Sequence, residues 1–122
     1  MDFYFKKAND YYNKKDYKKA ISLYQKSIET QGSEACSLYN SAVCYIKLKE
    51  YNKAIDLLKQ ALEIKLDHKY LFNLAYCYSL IGDNAKALTY FNWSWAYNND
   101  DFECKKAISM ILESYNNNNS AK

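Results

Sequence analysis

The sequence has no proline and only two glycines in 122 residues, so it contains few of the residues that interrupt helices. It also has no arginine, the residue best suited to bidentate recognition of phosphate or guanine. The 17 lysines exceed the 14 carboxylates by only three charges and form no basic block of five or more. With 49% apolar residues, a disordered chain is excluded. These features favour a mostly helical protein and disfavour a nucleic-acid partner.

Residues for metal binding and catalysis are also scarce. His68 is the only histidine, and the four cysteines include no Cys-x-x-Cys pair, so the usual spacing of zinc ligands is missing. There is no glycine-rich phosphate loop and no nucleophile evidently paired with the histidine. We therefore expect no metal, no cofactor and no enzymatic activity. No window approaches 18 apolar residues, so no membrane span is predicted.

Two of the cysteines occupy matching places in the sequence. Cys44 and Cys77 directly precede Tyr45 and Tyr78, where a small apolar residue would pack, which is typical of buried free thiols. Residues 1–7 lack the apolar run of a signal peptide. Reduced cysteines together with this N-terminus favour a cytoplasmic protein.

An internal repeat accounts for most of the chain. Ala42 has counterparts in Ala8 and Ala75, at spacings of 34 and then 33 residues. A second set of alanines follows the same spacing: Ala20, Ala54 and Ala87. A repeat of this period indicates stacked helix pairs rather than a single closed fold. The predicted class is an all-α array of antiparallel helix pairs, an α-solenoid.

Helical spacing of apolar residues predicts seven helices. Their expected bounds are 2–14, 17–30, 35–48, 51–64, 68–81, 84–98 and 101–115. Asp16, Glu50 and Asp83 recur at the starts of the second, fourth and sixth helices, where an acidic side chain is favourable. Gly82 is placed to end the fifth helix in a left-handed conformation.

The seventh helix has no partner helix after it. Its predicted apolar side consists of Cys104, Ala107, Ile108, Ile111, Leu112 and Tyr115. Asp100 and Glu103 have the spacing of a capping box at its start. A lone amphipathic helix of this kind covers the open end of a helical array. The residues 116–122 are polar and are expected to form a disordered tail.

The repeated pattern resembles the tetratricopeptide repeat family. Its six positions are met by Tyr4, Ala8, Tyr11, Ala20, Tyr24 and Ser27; by Leu38, Ala42, Tyr45, Ala54, Leu58 and Ala61; and by Leu71, Ala75, Tyr78, Ala87, Phe91 and Ser94. The family's frequent tryptophan and terminal proline are missing. The resemblance implies a right-handed superhelix forming one domain over 1–115, with repeats at about 1–34, 35–67 and 68–100 and a solvating helix at about 101–115.

The resemblance also implies a binding scaffold whose concave groove takes an extended peptide or a partner's helix. By register, the groove residues are Phe5, Asn9, Tyr12, Tyr39, Asn40, Val43, Lys69, Phe72, Asn73 and Tyr76. The aromatic residues would supply apolar contact, and the asparagine amides would hold the peptide main chain. The predicted function is a protein-interaction adaptor with a protein or peptide partner of unknown identity.

Other functions are compatible with the same residues. The array could self-associate through the groove or the end helix, forming a homo-oligomeric assembly module. A clamp for the acidic tails of heat-shock chaperones is disfavoured: Asn9, Asn40 and Lys69 match it, but Phe5 and Asn73 replace two of its three cations. Single-stranded RNA stacked on the aromatic residues is a weaker possibility.

Trp93 stands apart from the groove residues. It occupies the register of Lys26 and Gln60, which points outward from the helix pair. An exposed tryptophan there would mark a possible second interface. The alternative, which the sequence slightly favours, places Trp93 beneath the last helix or the tail.

Overall fold

The computed structural model describes residues 3–31 and 34–120, which form seven α-helices and no strand. The helices are α1 (Phe3–Asn13), α2 (Tyr17–Gln31), α3 (Ala35–Lys47), α4 (Tyr51–Ile64), α5 (His68–Leu80), α6 (Asn84–Tyr97) and α7 (Phe102–Ser120). This confirms the all-α, helical-repeat class. The bounds of the first six helices differ from the predicted ones by at most one residue, apart from residue 2, which lies outside the described residues.

The helices form two compact units, 1–66 and 67–122. In the first unit α1 packs on α2, α2 on α3, and α3 on α4. In the second unit α5 packs on α6, and α6 on α7. Each packed pair joined by a short turn is an antiparallel helical hairpin. The boundary between the units falls beside the predicted boundary between the second and third repeats. A single domain over 1–115 and a right-handed superhelix stay predictions.

Small residues lie where the two helices of each hairpin cross. Ala8, Ala42 and Ala75 are fully buried in α1, α3 and α5. Their partners on the second helices are also fully buried: Ala20, Ala54 and Ala87. Without long side chains between them, the helix axes approach closely, and larger residues fill the space beside the crossing. Those residues are the buried Tyr24, Leu58 and Phe91.

The turn inside each hairpin repeats the same backbone geometry. Lys15, Lys49 and Gly82 have φ values of 64°, 62° and 87°, in the left-handed region. The amide of the next residue donates to a carbonyl five residues back, at 2.9 Å from Asp16 to Tyr11. The equivalent bonds from Glu50 to Tyr45 and from Asp83 to Tyr78 are also 2.9 Å. The predicted left-handed end at Gly82 is confirmed. Lys15 and Lys49 adopt the same left-handed conformation, which is unfavourable for residues other than glycine.

The predicted acidic residues begin their helices in two different ways. The carboxylates of Asp16 and Asp83 accept hydrogen bonds from backbone amides three residues on, at 3.2 Å and 3.1 Å. Glu50 makes no such cap, and its carboxylate instead accepts from the Lys53 ammonium at 3.3 Å. Glutamate is one methylene longer than aspartate, which is the preferred capping residue. Its charge still lies at the helix N-terminus, where it is favourable.

The last helix differs from its prediction at both ends. It begins at Phe102, and the Asp101 carboxylate accepts from the Cys104 amide at 3.2 Å, so the capping box assigned to Asp100 and Glu103 is wrong by one position. The helix then continues through Ser120. The prediction of a disordered tail from 116 is therefore corrected as far as residue 120, since no proline or glycine interrupts the asparagine run. Residues 121–122 lie outside the described part of the chain.

The crossing in the third hairpin can be tested with two alanines on the same helix. Ala87 is fully buried at the crossing, whereas Ala85 is exposed. We expect Ala87→Leu to lower the free energy of unfolding by about 1–3 kcal/mol, because the larger side chain forces α5 and α6 apart. Ala85→Leu should change it by less than about 0.5 kcal/mol. Urea denaturation followed by circular dichroism measures both, and equal midpoints would contradict the packing argument.

Candidate functional site

A cavity of about 250 Å³ lies in the first unit where α1, α2 and α3 meet. Its lining residues are Asn9, Tyr12, Tyr24, Tyr39, Asn40 and Val43. The sequence predicted all of these except Tyr24 as groove residues. The repeat brings them together because the first helices of successive hairpins present the same register to one side. We call this cavity the asparagine pocket.

The hydroxyl of Tyr24 lies between the two asparagines of the pocket. It donates a hydrogen bond to Oδ1 of Asn9, and it is also hydrogen-bonded by the Asn40 side chain. Burial raises the pKa of the Tyr24 hydroxyl well above its usual value, and the Asn40 bond offsets only part of that rise. The hydroxyl is therefore neutral and able to act as both donor and acceptor.

The Asn9 bond fixes how that amide is oriented. Because Asn9 accepts through Oδ1, its Nδ2 remains available as a donor. Asn40 is the other polar neighbour of this hydroxyl, and its amide carries both a donor and an acceptor. The asparagine pocket thus presents the Nδ2 donor of Asn9 and the amide of Asn40 beside aromatic walls. Sequence reasoning missed Tyr24 as their support because its register marks it as a core residue.

Phe5, Tyr39 and Phe72 occupy one position of the three repeats, and the first and third of this series are half-buried against core aromatics. The ring of Phe5 meets Tyr24 edge-on with centroids 5.8 Å apart. The ring of Phe72 meets Phe91 in the same way at 5.3 Å. Tyr39, the second of the series, is also half-buried. These rings therefore contribute to packing as well as to any ligand surface.

A second cavity, of about 360 Å³, lies in the second unit and is mostly apolar. We call it the α5–α7 pocket. It is lined by Phe72, Tyr76, Ser79, Phe91, Glu103, Lys106, Ala107, Met110 and Ile111. Phe72 and Tyr76 were predicted as groove residues, whereas the contribution of α7 was not. The apolar positions of α7 carry the signal for it, although the sequence predicted only that they cover the end of the array.

Two other predicted groove residues of α5 do not line the α5–α7 pocket. The Asn73 side chain donates to the backbone carbonyl of Lys69 at 2.9 Å, one turn earlier on the same helix. Asn73 is therefore held differently from Asn9 and Asn40. Lys69 is exposed, and its backbone amide donates to the Asp67 carboxylate at 2.8 Å. The three predicted asparagines do not form one uniform set.

Trp93 is exposed, with 46% of its surface accessible. Its ring stacks on Tyr90 at 6.2 Å, and Tyr90 stacks on Tyr78 at 5.6 Å. The Lys86 ammonium lies 5.4 Å from the centre of the Tyr78 ring. The slightly favoured alternative, in which the last helix or tail covers Trp93, is therefore wrong. Its role in a second interface stays a prediction.

The cysteines and the histidine have structural surroundings. Burial raises the pKa of the Cys44 and Cys77 thiols to about 12. The buried Cys104 thiol donates to the Phe91 carbonyl at 3.1 Å, and Cys36 is exposed. His68 begins α5. Within residues 3–31 and 34–120 no three His, Cys, Asp or Glu side chains are grouped to hold a metal, and no helix is long and apolar enough to cross a membrane.

The repeat pattern is matched by a known family. The tetratricopeptide repeat model aligns with residues 3–67 and again with 33–96, which together span more than half of the chain. The chain belongs to the tetratricopeptide repeat family. Curated protein sequences gave no significant match.

Solved tetratricopeptide structures share the fold at low sequence identity. The first such domain of Spaghetti (RPAP3), bound to the HSP90 peptide SRMEEVD, is 18% identical with a TM-score of 0.88, covering 92% of this chain and 90% of that one. The Arabidopsis OM64 domain is 19% identical with a TM-score of 0.86, covering 91% and 93%. The second domain of human RPAP3, in complex with the HSP70 peptide SGPTIEEVD, is 20% identical with a TM-score of 0.82, covering 88% and 90%.

The hydroxyl of Tyr24 provides a test of the pocket's construction. We expect Tyr24→Phe to lower the free energy of unfolding by about 1–3 kcal/mol, because both asparagines lose a buried partner. Tyr51→Phe on α4 is the matched control and should change it by less than about 0.5 kcal/mol. Chemical denaturation measures both values. Equal stability of the two variants would show that the hydroxyl does not hold the asparagines.

The thiols provide a test based on accessibility and pH. In native protein at pH 8, iodoacetamide should label Cys36 alone, because the other thiols are buried and their pKa values are raised. In urea all four should react, and native Cys36→Ser should take no label, as intact mass spectrometry can show.

The buried thiols also predict how stability depends on pH. Since folding favours the protonated thiols of Cys44 and Cys77, their contribution to stability is full below the unfolded pKa of about 8.5 and is lost as pH rises towards 12. Stability that rises over this range would contradict the assignment.

Proposed function

We propose that this tetratricopeptide repeat protein is a non-catalytic interaction module that binds an extended peptide segment of a partner protein. The observation that carries the proposal is the asparagine pocket. Asn9, held through Oδ1 by Tyr24, offers Nδ2 as a donor, and the Asn40 amide in the same pocket offers a donor and an acceptor. One peptide unit presents the complementary carbonyl and amide, so it can bond to both at once.

The surroundings of the two amides favour a peptide with apolar side chains. Tyr12, Tyr39 and Val43 form the walls of the asparagine pocket. Tyrosine and other aromatic residues bury large areas at low entropic cost, so they are common at such interfaces. In the second unit, Phe72 and Tyr76 line the α5–α7 pocket, which supports a further contact for an apolar side chain.

The charge of the site argues against a strongly acidic peptide tail. Two of the similar structures hold chaperone peptides that end in Glu-Glu-Val-Asp. This chain has Phe5 and Asn73 at two of the three cation positions of the chaperone clamp. Neither side chain carries a positive charge. Phe5 packs on Tyr24, and Asn73 bonds its own helix. We propose a ligand that is recognised through its main chain and its apolar side chains, in a cytoplasmic setting.

The proposal can be tested with a panel of synthetic apolar peptides, each made with and without a Glu-Glu-Val-Asp end. Fluorescence anisotropy should find peptides that bind without requiring that end. Asn9→Ala with Asn40→Ala should weaken their binding by about tenfold or more, since two hydrogen bonds to the main chain are lost.

Asn52→Ala with Asn92→Ala is the matched control, because both of these asparagines are exposed on second helices. This control should leave the affinity unchanged. Unchanged binding by the Asn9 and Asn40 variant, or a strict requirement for the acidic end, would contradict the proposal.

A further inference from the structure

A groove separate from both pockets lies on the first hairpin, between α1 and α2. Its apolar floor consists of Phe3, Tyr11 and Leu23. Its rim carries Lys7, Lys18 and Lys19. We call this surface the lysine groove.

The lysine groove occupies a face that is covered on the next hairpin. By the 34-residue repeat, Phe3 and Lys7 correspond to Ser37 and Ser41 on α3. Both serines are buried, and the Ser37 hydroxyl is hydrogen-bonded to Ser27 of α2 at 3.2 Å. On α1 the same face is open, and 64% of the Phe3 surface is accessible. Among the described residues this face of α1 is exposed, whereas the matching face of α3 packs on α2.

The charges of the lysine groove define what can occupy it. Among the described residues, no carboxylate lies within 4 Å of the ammonium groups of Lys7, Lys18 or Lys19. The ammonium of Lys19 lies 5.1 Å from the centre of the Tyr11 ring. Asp16 also lines the groove, but its carboxylate caps α2. The complementary ligand is therefore an acidic segment that carries a large apolar side chain.

The chain itself contains a segment of this kind in its other unit. Phe102 is 80% exposed, the highest value among the large apolar side chains that the structure describes. It is flanked by three carboxylates, on Asp100, Asp101 and Glu103. Asp101 is used as the cap of α7, whereas Asp100 and Glu103 are exposed. We call residues 100–103 the acidic segment.

The overall charge distribution agrees with this pairing. Residues 1–66 carry 12 lysines and 8 carboxylates, a net charge of +4. Residues 67–122 carry 5 lysines and 6 carboxylates, a net charge of −1. Opposite net charges favour encounter between the first unit of one molecule and the second unit of another.

We propose that the lysine groove of one molecule binds the acidic segment of a second copy. Phe102 enters between Phe3, Tyr11 and Leu23, and the flanking carboxylates meet the lysine rim. Because the two surfaces differ, the contact is heterologous, and each molecule carries one copy of each surface.

Sedimentation velocity from micromolar to millimolar concentration tests the association. The wild-type protein should form larger species at low salt and dissociate as salt screens the charges. Phe102→Ala should weaken association by about tenfold, since an exposed aromatic loses its apolar contact. A protein that stays monomeric throughout, or a Phe102→Ala variant that associates like the wild type, would overturn the proposal.

Two charge-reversal variants test which surfaces meet. Lys7→Glu with Lys18→Glu alters the groove, and Asp100→Lys with Glu103→Lys alters the segment. Each variant should be monomeric alone. Mixing them should restore association, because the segment of the first and the groove of the second are unchanged.

Lys47→Glu with Lys65→Glu is the control for net charge, since both lysines are exposed and lie outside the groove. It should associate like the wild type, and circular dichroism should show all variants folded. Loss of association in this control, or no recovery on mixing, would overturn the proposal. So would a monomer whose lysine groove instead binds an acidic peptide or anionic vesicles.

Discussion

The close crossing of two helices at paired alanines is the contact on which the rest of the structure depends. In each hairpin one alanine from either helix is fully buried, as with Ala42 and Ala54. Such small side chains let the two axes approach closely, so the surrounding residues must supply the bulk. Tyr24, Leu58 and Phe91 do this, and their orientation then decides what the neighbouring first helices present.

Tyr24 links this packing to the candidate site. Its ring is part of the core, while its hydroxyl extends to Asn9 and Asn40. Leucine and phenylalanine in the equivalent positions 58 and 91 have no hydroxyl, so only the first hairpin supports a polar pocket of this type. The α5–α7 pocket is correspondingly apolar, with Phe91 among its lining residues. One position of the repeat therefore gives the two units different surfaces.

Most of the fold could be predicted because each position of the repeat pattern occurs in three copies along the chain. Alanines, aromatic residues and turn residues recur at the same spacing, and local hydrogen bonds complete each turn. The errors arose where this repetition ends. The start of α7 lies one residue later than expected because Asp101, not Asp100, caps it. Its continuation through Ser120 follows from the absence of a helix breaker rather than from favourable asparagines.

The sequence by itself determined the hairpins, their turns and the helical register of the predicted groove residues, because these depend on contacts between residues close along the chain. Only the tertiary structure decided how those side chains pair. Tyr24 orients Asn9, Asn73 bonds its own helix, the exposed Trp93 stacks on Tyr90, and α7 lines a pocket. Helical register predicts the direction in which a side chain points but not which partner atom it meets. That depends on the packing of several helices at once.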